Sequence, residues 1–66
     1  MQVVINGAER PVQVDATLAA VLAEFGVPER GVAVAVDGTV VPRANWQATE
    51  LRDGAAVEVL TAVQGG

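Results

Sequence analysis

Thr17-Leu18-Ala19-Ala20-Val21-Leu22-Ala23-Glu24-Phe25-Gly26-Val27-Pro28 decides how the rest of the 66-residue chain is read. Leu18, Val21, Leu22 and Phe25 recur at i, i+3, i+4 and i+7, which is one face of a helix. Ala19, Ala20, Ala23 and Glu24 fill the other positions with good helix formers. Thr17 suits the N-cap, although no acidic residue follows it in the first turn. At the other end Gly26 suits the left-handed position after the last turn. Val27 can fold back onto that turn, and Pro28 forbids continuation. The spacing predicts one helix over residues 17–25, with an apolar stripe that has to be buried against something else.

Reading outward supplies the partner. Upstream, residues 1–5 are nearly all apolar and β-branched, and Asn6-Gly7 is a two-residue hairpin signal. A second strand is expected at residues 11–14, with Val12 and Val14 on one face. Downstream, Val32, Val34 and Val36 alternate with Ala33 and Ala35, the period of a strand. Asp37-Gly38 turns the chain into a short strand at 39–41, ended by Pro42. Residues 43–50 show no period and hold the only Trp, Trp46. Asp53-Gly54 turns into a last strand at 57–63, which runs into Gln64-Gly65-Gly66. No internal repeat, linker or low-complexity segment interrupts this order.

A lone helix with one apolar stripe covers one face of a sheet. Strand, strand, helix, strand, short strand, irregular stretch, strand is the order of an α+β, β-grasp (ubiquitin-like) domain. Its mixed sheet would have four to five strands and one crossing helix, the last strand lying centrally beside the first. The expected core is Val3, Ile5, Val12, Val14, Leu18, Leu22, Phe25, Val34, Val57 and Val59. Residues 1–62 would form the domain and residues 63–66 a slim C-terminal tail.

Composition narrows the chemistry. Chains below about 70–80 residues often need disulfides or a metal, yet this one has no Cys and no His. Stability must come from an economical core, which a 52% hydrophobic content makes feasible. A strand-like run from Met1 leaves no room for a signal peptide, and no apolar run approaches the roughly 20 residues of a membrane span. Cys-free composition fits a reducing compartment, so a cytoplasmic protein that uses no membrane is expected. The net charge of −4 argues against nucleic acid and for a partner with a positive docking face. All four basic residues are Arg. Composition biased by a genome rich in G and C explains this more simply than protection against attachment of the chain's own tail.

Conventional catalysis has little to build on. Thiolate, imidazole and the usual transition-metal ligands are missing, so no catalytic residue and no metal site are assigned. Glu9, Asp15, Asp37 and Asp53 fall near expected turns, where turn and cap chemistry accounts for them. Neither dinucleotide nor P-loop glycine patterns occur, and no bound cofactor is expected. The remaining candidate is the tail. Two glycines after an apolar strand make an extension with no side chains to clash. Four steps beyond residue 62 reach roughly 13–14 Å, enough to thread a carboxylate into another protein's active site. Such a carboxylate is ionised at neutral pH and can attack the α-phosphorus of ATP where a partner supplies metal and positive charge. The acyl-adenylate formed would then accept sulfur or an amine. A terminal Gly-Gly alone is equally a frayed end or a scar; its position after the last strand of a β-grasp order gives it weight.

At this point the sequence resembles the ThiS family, the sulfur carriers of thiamine (thiazole) biosynthesis, over its whole length. The residues that carry the resemblance are Ala35-Val36-Asp37-Gly38, Val40-Val41-Pro42-Arg43, Trp46, Leu51, Asp53-Gly54 and Thr61-Ala62-Val63-Gln64-Gly65-Gly66, with Val4-Ile5-Asn6-Gly7 and Thr17-Leu18. The resemblance implies that a ThiF-type adenylating enzyme, using ATP and Mg²⁺, activates Gly66. A sulfur donor protein then converts it to a thiocarboxylate, and a ThiG-type thiazole synthase receives the sulfur. Without Cys, any sulfur this chain carries has to reside on its C-terminus. Gly65, Gln64, Val63 and Leu60 are the expected partner-binding residues. Leu60 is included because it should face away from the helix, opposite in direction to Val57 and Val59.

Two other functions stay open on the residues. One is a MoaD-like carrier for molybdopterin synthesis, against which the Val-Pro-Arg and Trp features count. The other is a ubiquitin-like interaction or modifier domain that forms an amide and carries no sulfur. Trp46 reads as a binding anchor or, more simply, as a pin holding a loop over the core. Arg43, set after a proline, reads as a partner contact or as a solvated surface charge.

Overall fold

The computed structural model describes residues 1–61. Five strands, one α-helix and one 3₁₀ helix follow in the order β1 (Gln2–Ile5), β2 (Ala8–Pro11), α1 (Leu18–Glu24), β3 (Val32–Val36), β4 (Thr39–Val40), the 3₁₀ helix (Arg43–Ala48) and β5 (Ala56–Thr61). The strands form one mixed sheet in the order β2-β1-β5-β3-β4. The last strand is central, parallel to β1 and antiparallel to β3, as the sequence order predicts.

Local chemistry explains the elements. Asn6 and Gly7 both have positive φ (50° and 84°), the conformation of the turn whose twist matches a β-hairpin. Asp37 and Gly38 repeat it at 51° and 86° between β3 and β4. Thr17 caps α1 as expected, its Oγ1 accepting the Ala20 N–H at 3.2 Å. The Leu18 N–H, unpaired within the helix, donates to the Thr49 carbonyl at 2.7 Å. At the C-terminus Gly26 (φ 74°) donates to the Ala23 carbonyl and Val27 to that of Leu22. This pair of bonds is the Schellman arrangement, and it stops the helix at Phe25.

The core lies between α1 and one face of the sheet. Val3, Val12, Leu18, Val21, Leu22, Val34, Trp46, Leu51, Ala55 and Val57 are buried, and Ile5, Phe25 and Val59 pack partly buried against them. No polar or charged residue is buried among the described residues.

The second strand needs correcting. It runs over Ala8–Pro11, not 11–14, because the tight Asn6-Gly7 turn sets Ile5 against Ala8 and Gln2 against Pro11. The pairing ends with Val12, whose N–H donates to the Met1 carbonyl at 2.8 Å and whose side chain turns inward. Beyond it the chain leaves the sheet through a turn in which Asp15 has φ 68° and the Ala16 N–H reaches the Gln13 carbonyl. Val14 sits in that turn, 70% exposed, and is not part of the core. The aperiodic stretch is also not structureless. Residues 43–48 form the 3₁₀ helix, which packs against α1. Its Trp46 is buried and donates Nε1–H to the Val41 carbonyl at 2.9 Å, so this Trp pins the segment over the core.

Candidate functional site

The candidate site is the end of β5. Val63, Gln64, Gly65 and Gly66, the expected tail residues, lie outside the described residues; Leu60 lies within them. The strand alternates as a half-covered strand should: Val57 is buried and Val59 half-buried toward α1, while Glu58 and Leu60 face outward. Leu60 is 69% exposed. Through Ala33 of β3, its direct partner, it continues into a shallow depression lined by Gly31, Val32, Ala33, Leu60 and Thr61. Val40, 67% exposed, stands on the same outer face, because its partner Ala35 pairs in turn with Glu58. The outer face is thus small and apolar around β3 and the end of β5.

The backbone of β5 is held unequally. Toward β3 it is paired over Val57–Thr61, and toward β1 only at Ala56 and Val57. Two turn side chains fill in where the neighbouring strands end. Asp37 accepts the Ala56 N–H on Oδ1 at 2.9 Å, while its own N–H donates to the Ala56 carbonyl at 2.8 Å. Diagonally opposite, Asn6 accepts the Val59 N–H on Oδ1 at 2.8 Å and donates Nδ2–H to the Val59 carbonyl at 3.2 Å. The Asn6 side chain thereby stands in for the next peptide of β1. The sequence marks Asn6 only as a turn former, and an Asn-Gly pair carries no signal that separates the two roles. Asp53 also acts on the backbone, its Oδ1 accepting the Gln2 N–H at 2.8 Å. Asp37 and Asp53 both sit at turns, as expected, but their carboxylates reach beyond them to the backbones of β5 and β1.

Other candidates are dispersed. Arg43 approaches Glu29 at 4.0 Å with both side chains largely in solvent, and such pairs contribute little. Arg10 covers the Phe25 ring, 5.7 Å from its centroid. Among the described residues no group of three or more His, Cys, Asp or Glu is placed to hold a metal ion. No helix there is long and apolar enough to cross a membrane.

A five-stranded mixed sheet crossed by one helix, with its last strand central, makes this a β-grasp, ubiquitin-like domain. The model of the ThiS family matches residues 3–66, and the chain belongs to that family. Among solved structures it is similar to the crystal structure of the thiamine biosynthesis protein ThiS from Geobacter metallireducens. That likeness has a TM-score of 0.85 and 30% identity and covers 100% of both chains. An NMR structure of a thiamine biosynthesis protein from the same organism gives a TM-score of 0.78 at 30% identity, covering 100% of this chain and 88% of that one. Among curated proteins the chain is 36% identical over 66 residues to a thiazole synthase of Paramagnetospirillum magneticum. It spans 20% of that protein's length.

Proposed function

We propose that the chain carries sulfur as a thiocarboxylate on Gly66 and delivers it for thiazole formation. The observation that carries this reading is the family match, which runs through Gly65-Gly66. Those two glycines are the only part of the sequence suited to threading a partner's channel. The Gly66 carboxylate attacks the α-phosphorus of ATP on a ThiF-type adenylating enzyme, which holds the Mg²⁺, and pyrophosphate leaves. A sulfide equivalent from a sulfur donor protein then attacks the acyl carbon and expels AMP, leaving the thiocarboxylate. The domain itself supplies recognition and no catalytic group. Leu60, Val63, Gln64 and Gly65 contact the partners. A thiazole synthase that contains a stretch similar to the whole of this chain supports a ThiG-type synthase as the acceptor. An ATP-dependent activation fits a cytoplasmic location.

The test uses two variants, one with a residue appended after Gly66 and one carrying Gly65→Val. The first displaces the carboxylate by about 3.3–3.6 Å; the second puts a branched side chain where only backbone should pass. Displacement of a reacting group by even ~1 Å costs on the order of a hundredfold in rate. Both variants should lose about that much ATP–pyrophosphate exchange with the adenylating enzyme while melting like the parent. Full exchange by both would end the carrier reading. Thiocarboxylated protein should support a ThiG-type synthase and fail with molybdopterin synthase; the reverse result moves the chain to the molybdopterin branch.

A further inference from the structure

We infer that Asn6 is a positioning residue for the reactive terminus: its carboxamide holds the Val59 peptide on the side where β1 has ended. The inference rests on the carrier reading, since it concerns how the strand that leads to Gly66 is presented to the adenylating enzyme.

Parallel pairing with β1 stops at Ile5 and Val57, followed by a last backbone bond from the Asn6 N–H to the Val57 carbonyl at 2.9 Å. At Asn6 the main chain turns away with φ 50°. Left there, β5 would be paired on one side only from Val59 onward. The Asn6 side chain instead supplies one acceptor and one donor to the Val59 N–H and C=O, as a strand residue would. Two-sided pairing therefore extends two residues further toward the tail. A carboxamide offers the acceptor and the donor on two separate atoms, spaced like a peptide's, and Asn tolerates positive φ. Asp cannot donate, and Gly reaches nothing.

The consequence for binding follows from ordering. A strand already held on both sides arrives at the partner in one direction, and less conformational freedom is lost on docking. That benefit is the same in the ground and transition states, so it acts on KM and leaves kcat unchanged. Asp37 supplies an internal control. Its side chain also holds the same strand, by a single acceptor on the Ala56 N–H at the end remote from the tail, so removing it probes strand stability without touching the exit.

The experiment compares Asn6→Gly, Asn6→Asp and Asp37→Gly with the parent. Glycine accepts positive φ at both sites, so each turn survives. Asn6→Gly should raise the KM for the carrier in ATP–pyrophosphate exchange about five- to tenfold, with kcat within about twofold. Amide exchange at Val59, whose N–H the Asn6 side chain accepts, should quicken in the free protein by a similar factor. Asn6→Asp keeps the acceptor and loses the donor, so it should fall between parent and Asn6→Gly. Asp37→Gly should lower the melting temperature comparably and leave KM at the parent value. An unchanged KM in Asn6→Gly, or an equal rise in Asp37→Gly, overturns the inference while the parent's own exchange upholds the carrier reading. No exchange by the parent would overturn both.

Discussion

The two faces of β5 differ as much as any two regions of the molecule. Toward α1, Val57 is 1% exposed and packs with Val3, Val34, Leu18 and Leu22. Away from it, Leu60 is 69% exposed, beside Ala33 and not far from Val40. Both residues are apolar, both lie on the central strand, and three positions separate them. Period-two alternation sends them opposite ways, and a single helix can cover only one face. The covered face holds the fold together. The open one costs the fold nothing to change, and so is free to be shaped by what it meets.

Substitutions on either face test that contrast. The largest effect belongs to the covered face. Leu18→Ala should cost about 2–5 kcal/mol, a large part of the roughly 5–15 kcal/mol that stabilises ordinary domains. Urea denaturation is expected to show a population already partly unfolded without denaturant. Melting like the parent would mean that the core is not where the buried residues place it. Next comes the open face. Leu60→Asp should melt normally but bind the adenylating enzyme or the thiazole synthase about tenfold more weakly, a loss of ~1.4 kcal/mol read by titration calorimetry. Parent-like affinity for both partners would remove Leu60 from the interface. The smallest effect is Val14→Ser, within about 0.5 kcal/mol in the same denaturation experiment, because the valine is already in solvent. A loss near that of Leu18→Ala would restore Val14 to the core.

The sequence was most legible where local and tertiary demands agree. The helix stripe, its Thr17 cap and its Gly26 stop depend on neighbours within a few positions, and α1 follows them. The centrality of β5 was legible through the order of elements. The second strand misled because Val12 and Val14 alternate as a strand would, while the register imposed by Asn6-Gly7 leaves Val14 no pairing partner. Residues 43–48 gave no period because a 3₁₀ helix places side chains every third residue over only two turns. Its one large anchor, Trp46, determines its position.

What the chain determined by itself was the choice of chemistry. With no Cys and no His, thiolate and imidazole chemistry were excluded, and the Gly65-Gly66 end was left as the candidate on which the proposed function rests. Which apolar residues face the helix and which face solvent was decided by the alternation of β5 once that strand was placed between β1 and β3. The role of Asn6 was decided only in three dimensions. Its side chain meets Val59, 53 positions away, because β1 ends where β5 continues. A hydrogen bond across such a separation depends on where two strands stop relative to each other, and no local pattern of residues encodes that.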